Sequence, residues 1–344
     1  MKRLGMVLVW SLLAGGPVAS WAAETCITQS QMKDAERDAL AQAAAAMATK
    51  IQANDAAGVK AATIAEYQKD FSGMADVVAA TAPKLNGAQI EVDQIYVLDA
   101  SSLSKTAAGA NPDAQFFCNL NQTAKSAEFA IPQLPPGRYG FAMVTMKDAT
   151  PWRLSFLLRQ EPAQASGQAQ WLLAGFYPRA LTAGGHEGLW YWEQARALAA
   201  EKQAWNAWLY YQEAQALLLP VNFVSSTNLD KLQTELTAAI PPAISGGLSA
   251  DTPLVVKGAE GSEFRFTAMA LDDSLHADKP DVAVHIKVEE LGDAAAARKR
   301  NVDAATALVA AHPELRGVFH GVWVFADAPG QSPYGTEVAM SEIK

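Results

Sequence analysis

Histidine is the side chain best placed for proton transfer or metal ligation near neutral pH. This chain has five, at His186, His276, His285, His312 and His320. No two stand at i, i+4, the spacing that puts two imidazoles on one helix face, so the spacing predicts no metal centre. His285 alternates with Lys287 and Glu289 and reads as part of a solvated sheet face. His320, beside Gly321 and Trp323 in an apolar run, reads as a hydrogen-bonded core histidine. His186 lies in GGHEG, where Glu187 can cap the helix that follows. The run DDSLHADKPD holds four aspartates but lacks the spaced ligands and glycine of a calcium loop, and reads as a charged surface loop. No G-x-S-x-G, G-x-x-x-x-G-K-[ST] or G-x-G-x-x-G after a strand is present. The residues therefore predict no catalytic constellation, no metal and no cofactor.

Cys26 and Cys118 are the only cysteines. An even pair in an oxidising compartment predicts a disulfide, here tying the N-terminal segment to a strand. The compartment is read from MKRLGMVLVWSLLAGGPVASWAAETC: a basic start at Lys2 and Arg3, a short apolar core, and small residues at Ser20 and Ala22. That pattern predicts a secretory signal peptide over residues 1–22, cleaved after Ala22, and a periplasmic or secreted protein. No other stretch is long and apolar enough to span a bilayer, so no integral membrane segment is expected after cleavage. Loss of Lys2 and Arg3 takes the formal charge from -9 to -11. An acidic chain without a basic cluster argues against nucleic acid as partner.

The elements that must position any site are organised around residues 188–220, GLWYWEQARALAAEKQAWNAWLYYQEAQALLLP. A turn near Glu201 to Gln203 leaves two helices. Leu189, Trp192, Ala195, Arg196 and Ala199 recur on one face of the first. Ala204, Ala207, Trp208, Tyr211, Ala214, Gln215 and Leu218 recur on one face of the second, with Trp205, Leu209 and Ala216 as a further apolar face. Pro220 ends it. Small residues let the helices approach, and Trp190, Trp192, Trp205, Trp208 and Tyr211 fill the gaps. Two readings follow: a helix pair buried between lobes, or an aromatic groove for a peptide or sugar.

Before the hairpin, helices over about 29–52, 55–70 and 75–80 precede strands near 90–98, 115–120, 128–131, 138–146, 152–159 and 170–176. After it come a helix over 228–239, the linker candidate Ile240–Ser249, strands near 252–257, 263–271 and 281–289, a helix over 294–311 capped by Asp293, and strands near 318–326 and 338–343. The predicted class is α+β: an N-terminal curled antiparallel sheet with helices, a central helical hairpin and a smaller C-terminal α+β domain. The boundaries are 1–22, 23–182, 183–240, 241–250 and 251–344.

The series PWRLSFLLRQE, a loop, then QWLLAGFYPRA resembles the paired C-terminal strands of nuclear-transport-factor-like cones, over about residues 30–180. That resemblance implies a sheet wrapped on a helix around a pocket, with Tyr96, Asp99, Arg159 and Tyr177 as pocket or rim candidates. Ala207, Tyr211 and Ala214 resemble the small–aromatic–small signature of a single tetratricopeptide-like unit, with Ala195 where the family has glycine. GGHEGLWYWEQAR and ELRGVFHGVWVFAD resemble stretches of secreted bacterial proteins with no assigned activity. The expected function is a non-catalytic periplasmic or secreted scaffold or binding protein, with a protein, peptide or small apolar ligand as candidate partner. The alternatives are a carrier of a small apolar ligand in the cone, or a hydrolase or isomerase of the same fold.

Overall fold

A computed structural model describes residues 24–119, 126–162, 169–276 and 279–343. The expected signal segment 1–22, and with it Leu120 and Gly167, lie outside the described residues. The fold is α+β, and among the described residues no helix is long and apolar enough to cross a membrane.

In the first lobe an Ala-rich stretch forms α1 (Asp34–Gln52), burying Leu40, Ala44, Met47, Ala48 and Ile51 on one stripe. Asp55 accepts a 2.8 Å bond from the Gly58 amide and so caps α2 (Ala56–Ala61); α3 (Ala65–Gln68) and α4 (Ser72–Thr81) follow. The strands are β1 (Thr25–Thr28), β2 (Gln89–Asp99), β3 (Ala114–Asn119), β4 (Ser126–Ile131), β5 (Arg138–Lys147), β6 (Trp152–Glu161) and β7 (Gln170–Ala180). Five of them form an antiparallel sheet in the order β1-β2-β5-β6-β7. Register shifts at Val92/Gln94 and Leu157/Leu158 bend it. On the side facing α1, Leu40, Met47, Ile51, Ile95, Val144, Phe156 and Phe176 pack into one apolar cluster. The opposite side packs Leu98, Tyr139, Phe141 and Leu157 against Phe116 and Phe129 of β3 and β4. A disulfide joins Cys26 of β1 to Cys118 of β3, with their Cα atoms 5.2 Å apart, and so ties the two layers together.

The short ladder β8 (Thr182–Ala183) with β9 (His186–Glu187) leads into α5 (Gly188–Ala200) and α6 (Ala204–Leu218), with Lys202 in the turn at φ 63. Both helices stand where the sequence puts them, but two faces differ from expectation. On α5 the buried stripe is Gly188, Tyr191, Trp192 and Ala195, while Leu189, Arg196 and Ala199 are exposed. The stripe follows Tyr191, which is fully buried and donates a 3.0 Å bond to the Ala183 carbonyl. On α6 Ala216 is exposed, and residues 205–211 are buried without interruption. A helix buried all round has partners on every side.

Those partners are α5 on one flank, α7 (Thr227–Ala238) on another, and the second lobe beyond. Trp205 packs on His312, Tyr210 on Phe319, and the Asn206 amide donates to the Glu314 carbonyl at 2.9 Å. Toward the first lobe, the chain leaving Pro220 buries Val221 and forms β10 (Val224–Ser226), which pairs antiparallel with β4. Phe223 lies edge-on to both Phe141 and Tyr177. The hairpin is therefore joined to one lobe by a hydrogen-bonded strand and to the other by side-chain packing and the Asn206 bond.

The second lobe is a five-stranded sheet in chain order: β11 (Leu254–Lys257), β12 (Glu263–Asp272), β13 (Asp281–Lys287), β14 (Gly321–Asp327) and β15 (Tyr334–Ala339). All neighbours are antiparallel except β13 and β14, which are parallel and connected through α8 (Ala294–Ala311) and α9 (Leu315–Val318). Asp293 caps α8 through the Ala296 amide at 2.8 Å. Asn301, fully buried on α8, donates to the carbonyls of Val324 and Tyr334 and so ties the helix to the sheet. One apolar cluster runs from Tyr191 and Leu209 to Phe266, Val324 and Val338; Ile244, within the linker candidate, belongs to it.

Glu213 on α6 gives the weld a pH dependence. Burial, reinforced by the charge of Asp273, pushes its carboxyl up to about 7. Tyr191 also faces it, and burial first and the charge of Glu213 next raise that phenol. A carboxyl held high in the folded state adds stability below its unfolded pKa, and loses it as pH rises through the folded value. Stability should therefore fall by about 2 kcal/mol between pH 5 and pH 8 through this group. Urea unfolding of Glu213→Gln should show that part of the slope removed; an unchanged slope would place the carboxyl elsewhere.

Candidate functional site

The residues singled out by sequence lie in several places. Trp205, Trp208 and Tyr211 are 5 %, 8 % and 4 % exposed inside the hairpin's core. Trp190 is half-buried, with the His186 ring stacked on it at 3.7 Å. Arg159 is tied up in ion pairs, with two bonds to Glu66 at 3.0 and 3.1 Å and one to Glu161 at 2.6 Å. Asp99 accepts from the Ser101 amide, 3.9 Å from Arg138. Trp205 and Trp208 meet edge to face at 5.8 Å within the hairpin, whereas Tyr96 and Trp192 come together on one cleft.

That cleft has a volume of about 290 Å³ and lies where the first lobe meets the hairpin. One wall is Tyr96, Phe129, Phe141 and Met143, from β2, β4 and β5; the other is Leu189, Trp192 and Leu218. The first wall follows from period-two alternation, which places Phe129 of β4 against Tyr96 and Phe141 at 5.2 and 5.1 Å. Burial raises the Tyr96 phenol, whose hydroxyl donates to Gln94 Oε1 at 2.9 Å.

The second wall is held by Glu235 of α7. Its carboxylate accepts from Trp192 Nε1 at 2.7 Å, from Arg196 Nε and Nη2 at 2.7 and 2.9 Å, and from the Tyr211 hydroxyl at 3.3 Å. The Arg196 guanidinium also lies over the Trp192 ring, 4.4 Å from its centroid. The bond from Arg196 is the main cause holding the Glu235 carboxyl below its usual range. The polar ends of Trp192 and Tyr211 are thus engaged within the protein, and Trp192 offers the cleft only its ring.

Arg153 of β6 also lines the cleft. Burial lowers its pKa, with the charge of Asp93 acting the other way. Its Nη1 donates a long 3.4 Å bond to the Leu218 carbonyl, and among the described residues no carboxylate oxygen lies within 4.0 Å of it. A half-buried guanidinium so weakly paired is poised for an anion. Sequence reasoning missed Arg153, though a signal was there: it is the one charged residue in WRLSFLL.

The histidines are less scattered in space than in sequence. His320 is no core residue: its side chain is 34 % exposed, because Phe319 takes the buried position beside it. It stacks on His276 and faces the buried Asp281, so DDSLHADKPD is not simply a surface loop. His285 pairs with Asp327 at 2.9 Å on the outer sheet face. Glu187 precedes α5, but its side chain makes no capping bond. No protein family, curated protein or solved structure matches the chain.

Proposed function

We propose that the chain is an exported, non-catalytic binding protein. In this reading the aromatic hairpin fixes two lobes into one body and supplies one wall of a cleft for a small amphipathic anion. The observation that carries the proposal is Arg153, weakly paired and the one charged residue lining a mostly apolar cleft. Such a site takes an apolar body along the accessible Met143, Leu189 and Leu229, and a carboxylate on the guanidinium. A volume of about 290 Å³ sits at the small end of small-molecule sites, roughly 300–1,000 Å³. The disulfide and the N-terminal pattern support export. The antiparallel meander of β5, β6 and β7 lying over α1 supports a cone-like first lobe, and the α5–α6 pair a tetratricopeptide-like unit.

Isothermal titration with decanoate and with decanol tests this. A charge-assisted bond contributes about 1.5–3 kcal/mol, so decanoate should bind at least about tenfold tighter than decanol. Arg153→Leu should abolish that preference and leave decanol unchanged. Leu189→Asp, on the exposed rim, should weaken both. Equal binding of the two ligands by the native chain, or none at millimolar concentration, would contradict the proposal.

A further inference from the structure

We propose that the second lobe carries a divalent transition-metal site made of His276, Asp281, His320 and Glu337. The fold brings the four together at one end of the sheet. Asp281 opens β13 and His320 immediately precedes β14; these strands are parallel, so their starts are neighbours. Glu337 comes from β15, opposite Trp323, and His276 from the β12–β13 connection. One donor atom from each lies within 4.8 Å of all the others. His276 Nε2 is 3.0 Å from Glu337 Oε1, and His320 Nδ1 is 3.1 Å from Asp281 Oδ1 and 3.4 Å from Glu337 Oε1. The two imidazoles stack with centroids 3.5 Å apart. Four donors around one ion at about 2.0–2.2 Å stand roughly 3.3 Å from each other in a tetrahedron, so small side-chain adjustments close the set.

Hydrogen bonding within the cluster does not account for Asp281. Its side chain is fully buried, yet Oδ2 has no hydrogen-bond partner among the described residues, while Oδ1 faces His320. An ionised carboxylate buried with one oxygen free is costly unless a cation meets it. The backbone makes room for it deliberately. A Cβ on Gly321 would stand 2.9 Å from Asp281 Oδ1 and 2.8 Å from the Val338 carbonyl, so only glycine lets the carboxylate lie against β14. Two neutral imidazoles and two carboxylates present a charge of about -2, which a divalent ion neutralises. Mixed nitrogen and oxygen donors select a borderline ion such as Zn²⁺ over Ca²⁺ or Mg²⁺, which take oxygen sets. Sequence spacing conceals the site because its ligands lie 5, 39 and 17 positions apart along the chain, on different elements.

The test is titration of the untagged, chelator-treated full chain with Zn²⁺, Ca²⁺ and Mg²⁺. One Zn²⁺ per chain should bind with a dissociation constant below about 1 µM, and neither Ca²⁺ nor Mg²⁺ should compete at millimolar concentration. His276→Ala removes a ligand from a connection outside the strands, so the sheet persists; it should weaken Zn²⁺ at least about tenfold. Asp281→Asn should weaken it about a hundredfold, with circular dichroism and melting confirming that the chain is folded. Binding weaker than about 100 µM in the native chain would overturn the site. So would tight binding that survives both substitutions, since the ion would then sit elsewhere, and so would equal affinity for Ca²⁺.

Discussion

Tyr191→Ala should lower the unfolding free energy by about 3–5 kcal/mol, the range for truncating a large buried ring. The ring is 1 % exposed, lies 5.0 Å from Trp190 and 5.3 Å from Tyr210, and its hydroxyl is bonded to the Ala183 carbonyl. It stands where the ladder leaving the first lobe meets the hairpin, inside the cluster that continues into the second sheet. Its loss should therefore uncouple the lobes as well as destabilise them. Calorimetry of the variant should show two transitions where the native chain shows one. Tyr191→Phe keeps the packing and loses one hydrogen bond, so it should cost only about 1 kcal/mol and keep a single transition. If Tyr191→Ala melts in one step with an unchanged midpoint, the hairpin does not weld the lobes.

Removal of the disulfide should have an effect of similar size and a different origin. Cys26 and Cys118 are separated by 92 positions in sequence. Closing a loop of that length restricts the unfolded chain by about 4–5 kcal/mol in the entropy model. Cys118 is buried between the sheet layers, so the double variant Cys26→Ala with Cys118→Ala also leaves a small void. The urea midpoint should fall accordingly, and a reductant added to the native protein in urea should reproduce most of the loss. A midpoint insensitive to reductant would mean that the bridge does not constrain the unfolded chain.

Much of the fold was legible because its signals are local. The Ala-rich stretch of α1, the alternation in Val282, Val284 and Ile286, the Asp293 cap and the turn at Glu201 to Gln203 each depend on neighbours in sequence. The stripe on α5 was misread because hydropathy alone does not separate Leu189 from Tyr191; the bond to Ala183 decides which faces inward. β1 and β10 were illegible because four and three residues carry no period, and each is a strand only through its partner, β2 or β4. The sites suffered most. Trp192 and Tyr96 were singled out for their type, but Arg153 meets them only through sheet register and the packing of α5. His276, Asp281, His320 and Glu337 look unrelated in sequence and converge because β13 and β14 run parallel.

The welded cleft is tested most directly by a crystal structure of the native chain grown with decanoate. The account predicts one decanoate between Met143 and Leu189, its carboxylate bonded to the Arg153 guanidinium and both lobes unmoved. A crystal with the ligand confined to the exposed sheet face near Trp323, or with Arg153 turned to solvent and the cleft collapsed, would contradict it.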